Sequence, residues 1–270
     1  VGPVGEATIV YDREGNEIDQ YVSTNSNRLS VGMDEIPDYL GKAFVAIEDE
    51  RFYQHNGIDF KSIIRAGYQF FKTGGEEAQG ASTITQQLLK NTVFTDWTSE
   101  GNNKIKKIKR KIQEQYLALE ITKYYSKDEI LLRYMNAINL GQNTLGVESA
   151  SLRYFGKHCS ELTISECAVI ASITQNPSKY NPIRHPEENV KRREKCLNKM
   201  LELGFISQTQ YDEAMADTDA VYERIGLYDI DYQEANATTG SYFSDAVYEQ
   251  VKQDLILSGY NENMAETLLT

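Results

Sequence analysis

The sequence predicts a mainly α protein with one short β-hairpin at its N-terminus. Three observations carry this. From about residue 34 to residue 215, apolar residues recur at helical spacing in successive stretches. These stretches are punctuated by Ser/Thr-x-x-Glu starts and by glycine stops. Strand-like sequence is confined to residues 7–18.

Ala7 to Tyr11 is β-prone, and Asp12 to Ile18 reads as a turn with a second short strand. Residues 19–33 are polar and read as loop. Asp34-Glu35-Ile36-Pro37 opens a helical region that runs through the apolar Ala43 to Ile47 into Glu48-Asp49-Glu50-Arg51-Phe52-Tyr53-Gln54-His55-Asn56-Gly57. That run holds three carboxylates and one of the chain's three histidines. If it is helical throughout, Glu48, Phe52 and His55 fall at i, i+4 and i+7 on one face, and Asn56-Gly57 stops the helix. It reads two ways. A carboxylate behind an apolar segment is partly desolvated and suited to acid/base work; a surface helix with solvated acids has the same sequence.

Ile58 to Phe71 reads as a second helix, and residues 72–80, with two glycine breaks, as a loop. Ser82 is placed to cap a helix on which Thr83, Gln87 and Lys90 form a polar stripe at i, i+4 and i+7. Such a stripe either donates to an anionic ligand or is a solvated face. Residues 104–112 set six cations among three isoleucines at helical period, and Arg110 and Glu114 are spaced as an i, i+4 pair. Ser126 caps a helix through Met135. Gly156 closes the next one, and Thr163 caps the strongly apolar run Cys167 to Ile173, expected to be the most buried element. Pro186 to Leu203, closed by Gly204, and Ser207 to Met215 are further helices. Residues 217–240 are acidic and polar with little periodicity and read as a linker, after which Tyr242 to Ile256 is helical.

The 270 residues suit one large domain, or one domain with an appendage. A net charge of −12 argues against a nucleic-acid surface, although the basic helix suits a phosphate-bearing partner or a membrane surface. The three cysteines lack C-x-x-C spacing and predict neither a disulfide framework nor a zinc site. No segment is long enough to span a membrane. The chain opens at Val1 without methionine and is read as an excised piece whose membrane anchor precedes it.

Five of these stretches, in this order, resemble the motifs of the family 51 peptidoglycan glycosyltransferases, the glycan-polymerising domains of class A penicillin-binding proteins. E-D-x-x-F-x-x-H-x-G matches Glu48 to Gly57, and G-x-S-T-x-T-Q-Q matches Gly80 to Gln87. R-K-x-x-E with a following A-x-x-L-E-like tail matches Arg110 to Glu120, and K-x-x-I-L-x-x-Y-x-N ending in G resembles Lys127 to Gly141. R-R-x-x-V-L-x-x-M resembles Arg192 to Met200, with Cys196 where valine is usual. The resemblance implies a lysozyme-like helical lobe with a smaller membrane-facing lobe. It divides the chain into an N-terminal hairpin and linker over 1–30, a glycosyltransferase domain over 31–216, and a linker over 217–270 toward a transpeptidase outside this sequence. No Ser-x-x-Lys nucleophile motif occurs in the chain.

The resemblance also implies the chemistry. A glycan on a polyprenyl diphosphate is the donor and the 4-hydroxyl of lipid II the acceptor; an α-linked diphosphate leaves and a β-1,4 bond forms with inversion. Glu48 is expected to be the base. Lys90 and Arg110 would neutralise the diphosphate, with Ser82, Thr83 and Gln87 as hydrogen-bonding contacts. Glu114 would be a second catalytic carboxylate that orients Arg110 or holds a divalent cation (Mg or Mn), although no cofactor is obligatory. Asp49, Phe52 and His55 would shape and support the site, and Arg192 and Arg193 would brace the fold by pairing with acids. Tyr68, Phe70, Phe71, Val93, Phe94 and Trp97 would either dip into the bilayer interface or pack as core. The expected place of work is the extracytoplasmic face of the bacterial membrane. Two other readings stay open: a lysozyme-like peptidoglycan hydrolase, which leaves the Lys90/Arg110 cluster unexplained, and a catalytically silent lipid-binding module, which needs no Glu48.

Overall fold

A computed structural model of the chain describes residues 8–11, 13, 17–21, 27–72, 80–94, 104–238 and 242–260. The expected mainly α fold is the one observed. Strands β1 (Thr8–Tyr11) and β2 (Glu17–Tyr21) form the antiparallel hairpin, with a register irregularity between Val10 and Tyr11. β3 (Asn27–Arg28), in a segment expected to be loop, pairs in parallel with β4 (Thr144–Leu145).

The helices are α1 (Asp38–Glu48), α2 (Phe60–Lys72), α3 (Ile84–Thr92), α4 (Lys104–Ile121), α5 (Lys127–Ala137), α6 (Val147–Phe155), α7 (Ile164–Ile173), α8 (Pro186–Glu202), α9 (Gln208–Ala216), α10 (Thr218–Thr238) and α11 (Tyr242–Leu257). Their starts follow the capping chemistry read from the sequence. Ser126, Thr163 and Ser207 each accept a hydrogen bond from the backbone N–H three residues on, and Gly156 closes α6 in the left-handed conformation.

The centre of the molecule is α7. Every residue from Ser165 to Ile173 is buried, so this helix is apolar all round and packs on α1, α6, α8 and α9. Burying one Val, Leu or Ile side chain contributes about 1.5–3 kcal/mol. Ile170 and Ile173 therefore anchor the main core, where Leu40, Phe44, Ile130, Tyr134, Met135 and Leu197 join them. A second, smaller core of Ile58, Leu89 and Ala118 joins the loop after α1 to α3 and α4, with Phe94 packed against it.

Two expectations change here. First, α1 ends at Glu48, and Phe52–Gln54 is a separate 3-10 turn. Glu48, Phe52 and His55 therefore do not share a helix face. Asp49 leaves the helix with φ −156° because its carboxylate is drawn to another element, as described below. Second, residues 218–238, read as the start of a linker, form a helix docked on the main body. Val221 and Ile225 are buried against Val169, and Arg153 pairs with Asp229 and lies over the Tyr232 ring. At Gly156 (φ +65°) a Cβ would stand 2.4 Å from the Tyr228 ring, so glycine is what lets α10 approach. The local composition looked linker-like because only a narrow stripe of this helix is buried; Leu227 and Ile230 stay exposed.

α2 is tied down at its first turn. Arg51 donates to both Asp59 oxygens and to Ser62, and Asp59 accepts the Ser62 N–H. Burial pushes the Asp59 carboxyl up, but these donors outweigh it and hold it down at about 2. Because the folded value lies below the unfolded one, this anchor is complete above about pH 4 and is lost as the pH falls through about 2. Amide exchange of α2 is expected to accelerate over that window in wild type. In Arg51→Ala the acceleration should begin at higher pH; identical profiles would show that the helix is held by other contacts.

Candidate active site

Glu48 is the last residue of α1, and three donors from distant segments close on its carboxylate. Oε1 accepts from Arg192 Nη2 (2.6 Å) and Thr174 Oγ1 (2.5 Å), and Oε2 accepts from Gln87 Nε2 (2.9 Å). Arg192, on α8, also donates to the Ser172 carbonyl and to Gln175, and stacks on the Tyr180 ring. Gln87, on α3, accepts in turn from the Tyr134 hydroxyl (3.0 Å). The side chains of Glu48 and Arg192 are each 10% exposed, so the pair is mostly withdrawn from water while one edge stays open.

Asp49 and His55 take supporting places. Asp49 is buried; its Oδ2 accepts the Ile84 N–H, and His55 Nε2 lies 2.9 and 3.0 Å from its two oxygens. A carboxylate at the first N–H of a helix answers both the unpaired donor and the helix dipole. Asp49 thus fastens the start of α3, and with it Gln87, to the end of α1. Phe52 is fully buried, with Tyr53 and His55 edge-on to it and Lys127 Nζ 4.4 Å from its ring centre, so it serves as packing beneath the site.

The polar stripe expected on α3 is not a stripe of free donors. Thr83, not Ser82, is the N-cap: its oxygen accepts from the Gln86 N–H and its hydroxyl donates to the Gly57 carbonyl. It is off the helix and buried. The Thr83 hydroxyl is taken up by the cap and the Gly57 carbonyl, and the Gln87 amide bridges Glu48 and Tyr134. Ser82 Oγ accepts from Lys111 Nζ (2.8 Å), and Lys90 stands in the last turn of α3.

On α4 the Arg110 and Glu114 pair forms as expected, and Lys111 joins it. Glu114 is buried, with one oxygen on Arg110 and the other 3.1 Å from Lys111 Nζ. A carboxylate already shared between two cations does not fit a divalent metal. Among the described residues, no group of three His, Cys, Asp or Glu side chains stands ready to hold one. Glu114 instead sets the direction of Arg110 and Lys111. Helix α3 is the bridge of the site: Gln87 meets Glu48, and Ser82, just ahead of its cap, meets Lys111.

Sequence reasoning missed Thr174, Tyr134 and Lys111 as members of the site. It also gave Arg192 a generic bracing role, where its acid partner is Glu48 itself. Arg193 is fully buried and, among the described residues, pairs with no acid, donating instead to the Ser165 and Ala214 carbonyls and to the Ser165 and Thr218 hydroxyls. Of the apolar residues expected at a bilayer or in the core, Tyr68 and Val93 are exposed, whereas Phe94 packs in the small core. Trp97 and the side chains of Phe70 and Phe71 lie outside the described residues. Two other exposed apolar rows stand out at i, i+4, i+8 spacing: Phe60, Ile64 and Tyr68 on α2, and Ile108, Ile112 and Tyr116 on α4. Among the described residues no helix is long and apolar enough to cross a membrane.

A mostly buried carboxylate with an open edge, joined through one helix to a group of cations, is an arrangement suited to an enzyme of the group-transfer class. The model of the family described as Transglycosylase matches residues 14–201, and the chain belongs to that family. It is 41% identical to penicillin-binding protein 1A of Clostridium perfringens over 94% of this chain and 36% of that protein. It is also 41% identical to penicillin-binding protein 1A of Aquifex aeolicus, over 78% of this chain and 27% of that one. The chain spans about a third of the length of the first of these relatives. A crystal structure of penicillin-binding protein 1A from Haemophilus influenzae aligns with a TM-score of 0.43 at 23% identity, covering 79% of this chain and 20% of that one.

Proposed function

We propose that this chain is a peptidoglycan glycosyltransferase that polymerises lipid II into β-1,4-linked glycan, releasing polyprenyl diphosphate with inversion. The observation that carries the reading is the cage on Glu48. Arg192, Thr174 and Gln87 all lie within hydrogen-bond reach of it and fix its carboxylate with one edge open, which suits a group that accepts a proton from an incoming hydroxyl. A lysozyme-like hydrolase needs its first carboxyl protonated to donate to a leaving oxygen. A diphosphate leaves without that help and needs countercharge instead.

Glu48 takes the proton from the acceptor 4-hydroxyl as that oxygen attacks the donor's anomeric carbon. Lys90, Arg110 and Lys111 stabilise the negative charge gathering on the departing diphosphate, and Glu114 keeps the two α4 cations aimed. The bond to the new glycan forms on the face opposite the leaving group, so one displacement inverts the centre and no covalent enzyme intermediate is needed. The rows on α2 and α4 would rest on the bilayer that holds both lipid substrates, with the lysines of α4 near anionic headgroups. In the longer relatives' context, a transpeptidase following this domain and an extracytoplasmic membrane location complete the proposal.

The test is glycan synthesis from purified lipid II. Wild type is expected to make long strands and release polyprenyl diphosphate. Lys90→Ala and Arg110→Ala are each expected to lose about 10²-fold in rate while keeping their circular dichroism spectra. Normal rates from both would place the leaving group elsewhere. Shortening of preformed glycan by wild type would favour the hydrolase.

A further inference from the structure

We propose that Tyr134 is a positioning residue for the base: its buried hydroxyl, acting through the Gln87 amide, holds Glu48 ionised and turned to accept a proton. This rests on the transferase reading and adds to it a residue that meets neither substrate nor Glu48 directly.

The argument is one of hydrogen-bond direction. Tyr134 lies on α5, fully buried, with its ring edge-on to Phe44 at 5.7 Å. Its hydroxyl is 3.0 Å from Gln87 Oε1, and Gln87 Nε2 is 2.9 Å from Glu48 Oε2. An ionised carboxylate only accepts. The amide must therefore turn its NH2 to Glu48, which turns its oxygen to Tyr134, and Tyr134 must donate. A proton placed on Oε2 would reverse the preference at the amide and pit it against the phenol. The chain from Tyr134 through Gln87 thus presents a donor to Oε2 and keeps that oxygen turned as an acceptor, and each bond polarises the next. Burial, and then the charge of Glu48, push the Tyr134 hydroxyl well above its ordinary range, so it remains a donor at working pH.

The other groups facing Glu48 do different work. Arg192 from α8 and Thr174 beyond α7 both bind Oε1 and leave Oε2 to Gln87. The Thr174 hydroxyl has one proton and two acceptors in reach, Glu48 and the Ala171 carbonyl. Cys196 on α8 is a neutral thiol, pushed up to about 12 by burial. Asp49 is engaged with His55 and the Ile84 N–H, and Lys127, which burial lowers, faces Asp49 from the start of α5. Arg192 therefore supplies the countercharge, and the Tyr134–Gln87 chain sets the orientation of Oε2.

The test is Tyr134→Phe in the full chain, assayed with lipid II between pH 5 and pH 9. The acidic limb of the kcat/KM profile is expected to move up by about 0.5 pH unit, because the ionised form has lost support. kcat should fall roughly fivefold with KM for lipid II unchanged. A fluorinated tyrosine at 134, a stronger donor of nearly the same shape, should move the limb the other way. A turnover-independent readout is the carboxyl carbon-13 titration of Glu48, assigned by its absence in Glu48→Gln, which should shift in the same two directions. A limb and titration that stay in place in both variants, with or without a lower melting temperature, overturn the proposal and leave Tyr134 as packing. A wild type that titrates as expected but makes no glycan overturns the transferase reading instead.

Discussion

Glu48→Gln is expected to reduce glycan synthesis by about 10³-fold or more, the range for losing a general base whose substitute cannot take a proton. The amide is close in shape, so substrate binding should be retained and the loss should appear in kcat. The structure adds a second expectation. Arg192 loses its only described carboxylate but keeps the Ser172 carbonyl and Gln175, and the new amide still offers an oxygen to it. The cost in stability should therefore be about 1–3 kcal/mol, visible in thermal denaturation but short of unfolding. Full polymerisation by Glu48→Gln would move the base to another residue.

Gly57→Ala is expected to have the largest effect on the fold. Gly57 has φ +86°, and a Cβ there would stand 2.1 Å from the Ala118 carbonyl oxygen of α4. Backbone, unlike a flexible side chain, cannot step aside. Left-handed strain costs about 1–2 kcal/mol and the forced shift of the loop about 1–3 more, so a loss of roughly 3–5 kcal/mol is expected. For a domain of this size that is a fall of about 10 °C in melting temperature. Because the Gly57 carbonyl also holds the Thr83 hydroxyl, the start of α3 should loosen with it and glycan synthesis should fall. A variant that melts with wild type would show that the loop after α1 yields freely.

These two residues illustrate what the sequence made legible. Glu48 was found by its place behind an apolar run and by its motif, and both are local. Helix starts were equally local: a Ser or Thr oxygen meets an N–H three residues on, and Ser126 and Thr163 were read correctly for that reason, whereas at Ser82 the cap fell one residue later, on Thr83. At Gly57 the same locality misled. Asn-Gly looked like a helix stop, whereas the glycine answers to α4, more than sixty residues away. Thr83 and Gln87 were assigned to substrate because their spacing said they shared a face. The partners that claim them, Gly57, Glu48 and Tyr134, come from elsewhere in the chain. Thr174 carried no signal beyond a turn-rich loop after the most buried helix. The docked α10 was missed because a stripe as narrow as Val221 and Ile225 does not lift the hydropathy of an acidic segment.

The grip on Glu48 has one further consequence, which concerns time. Its three donors lie 39, 126 and 144 residues along the chain from it. Contacts so far apart in sequence form late, because each must first close a long loop. A chain emerging from the ribosome carries Glu48 early, yet has no completed cage until α8 has been made and packed. Glu48 therefore lacks its full set of partners until α8 has packed against the main core.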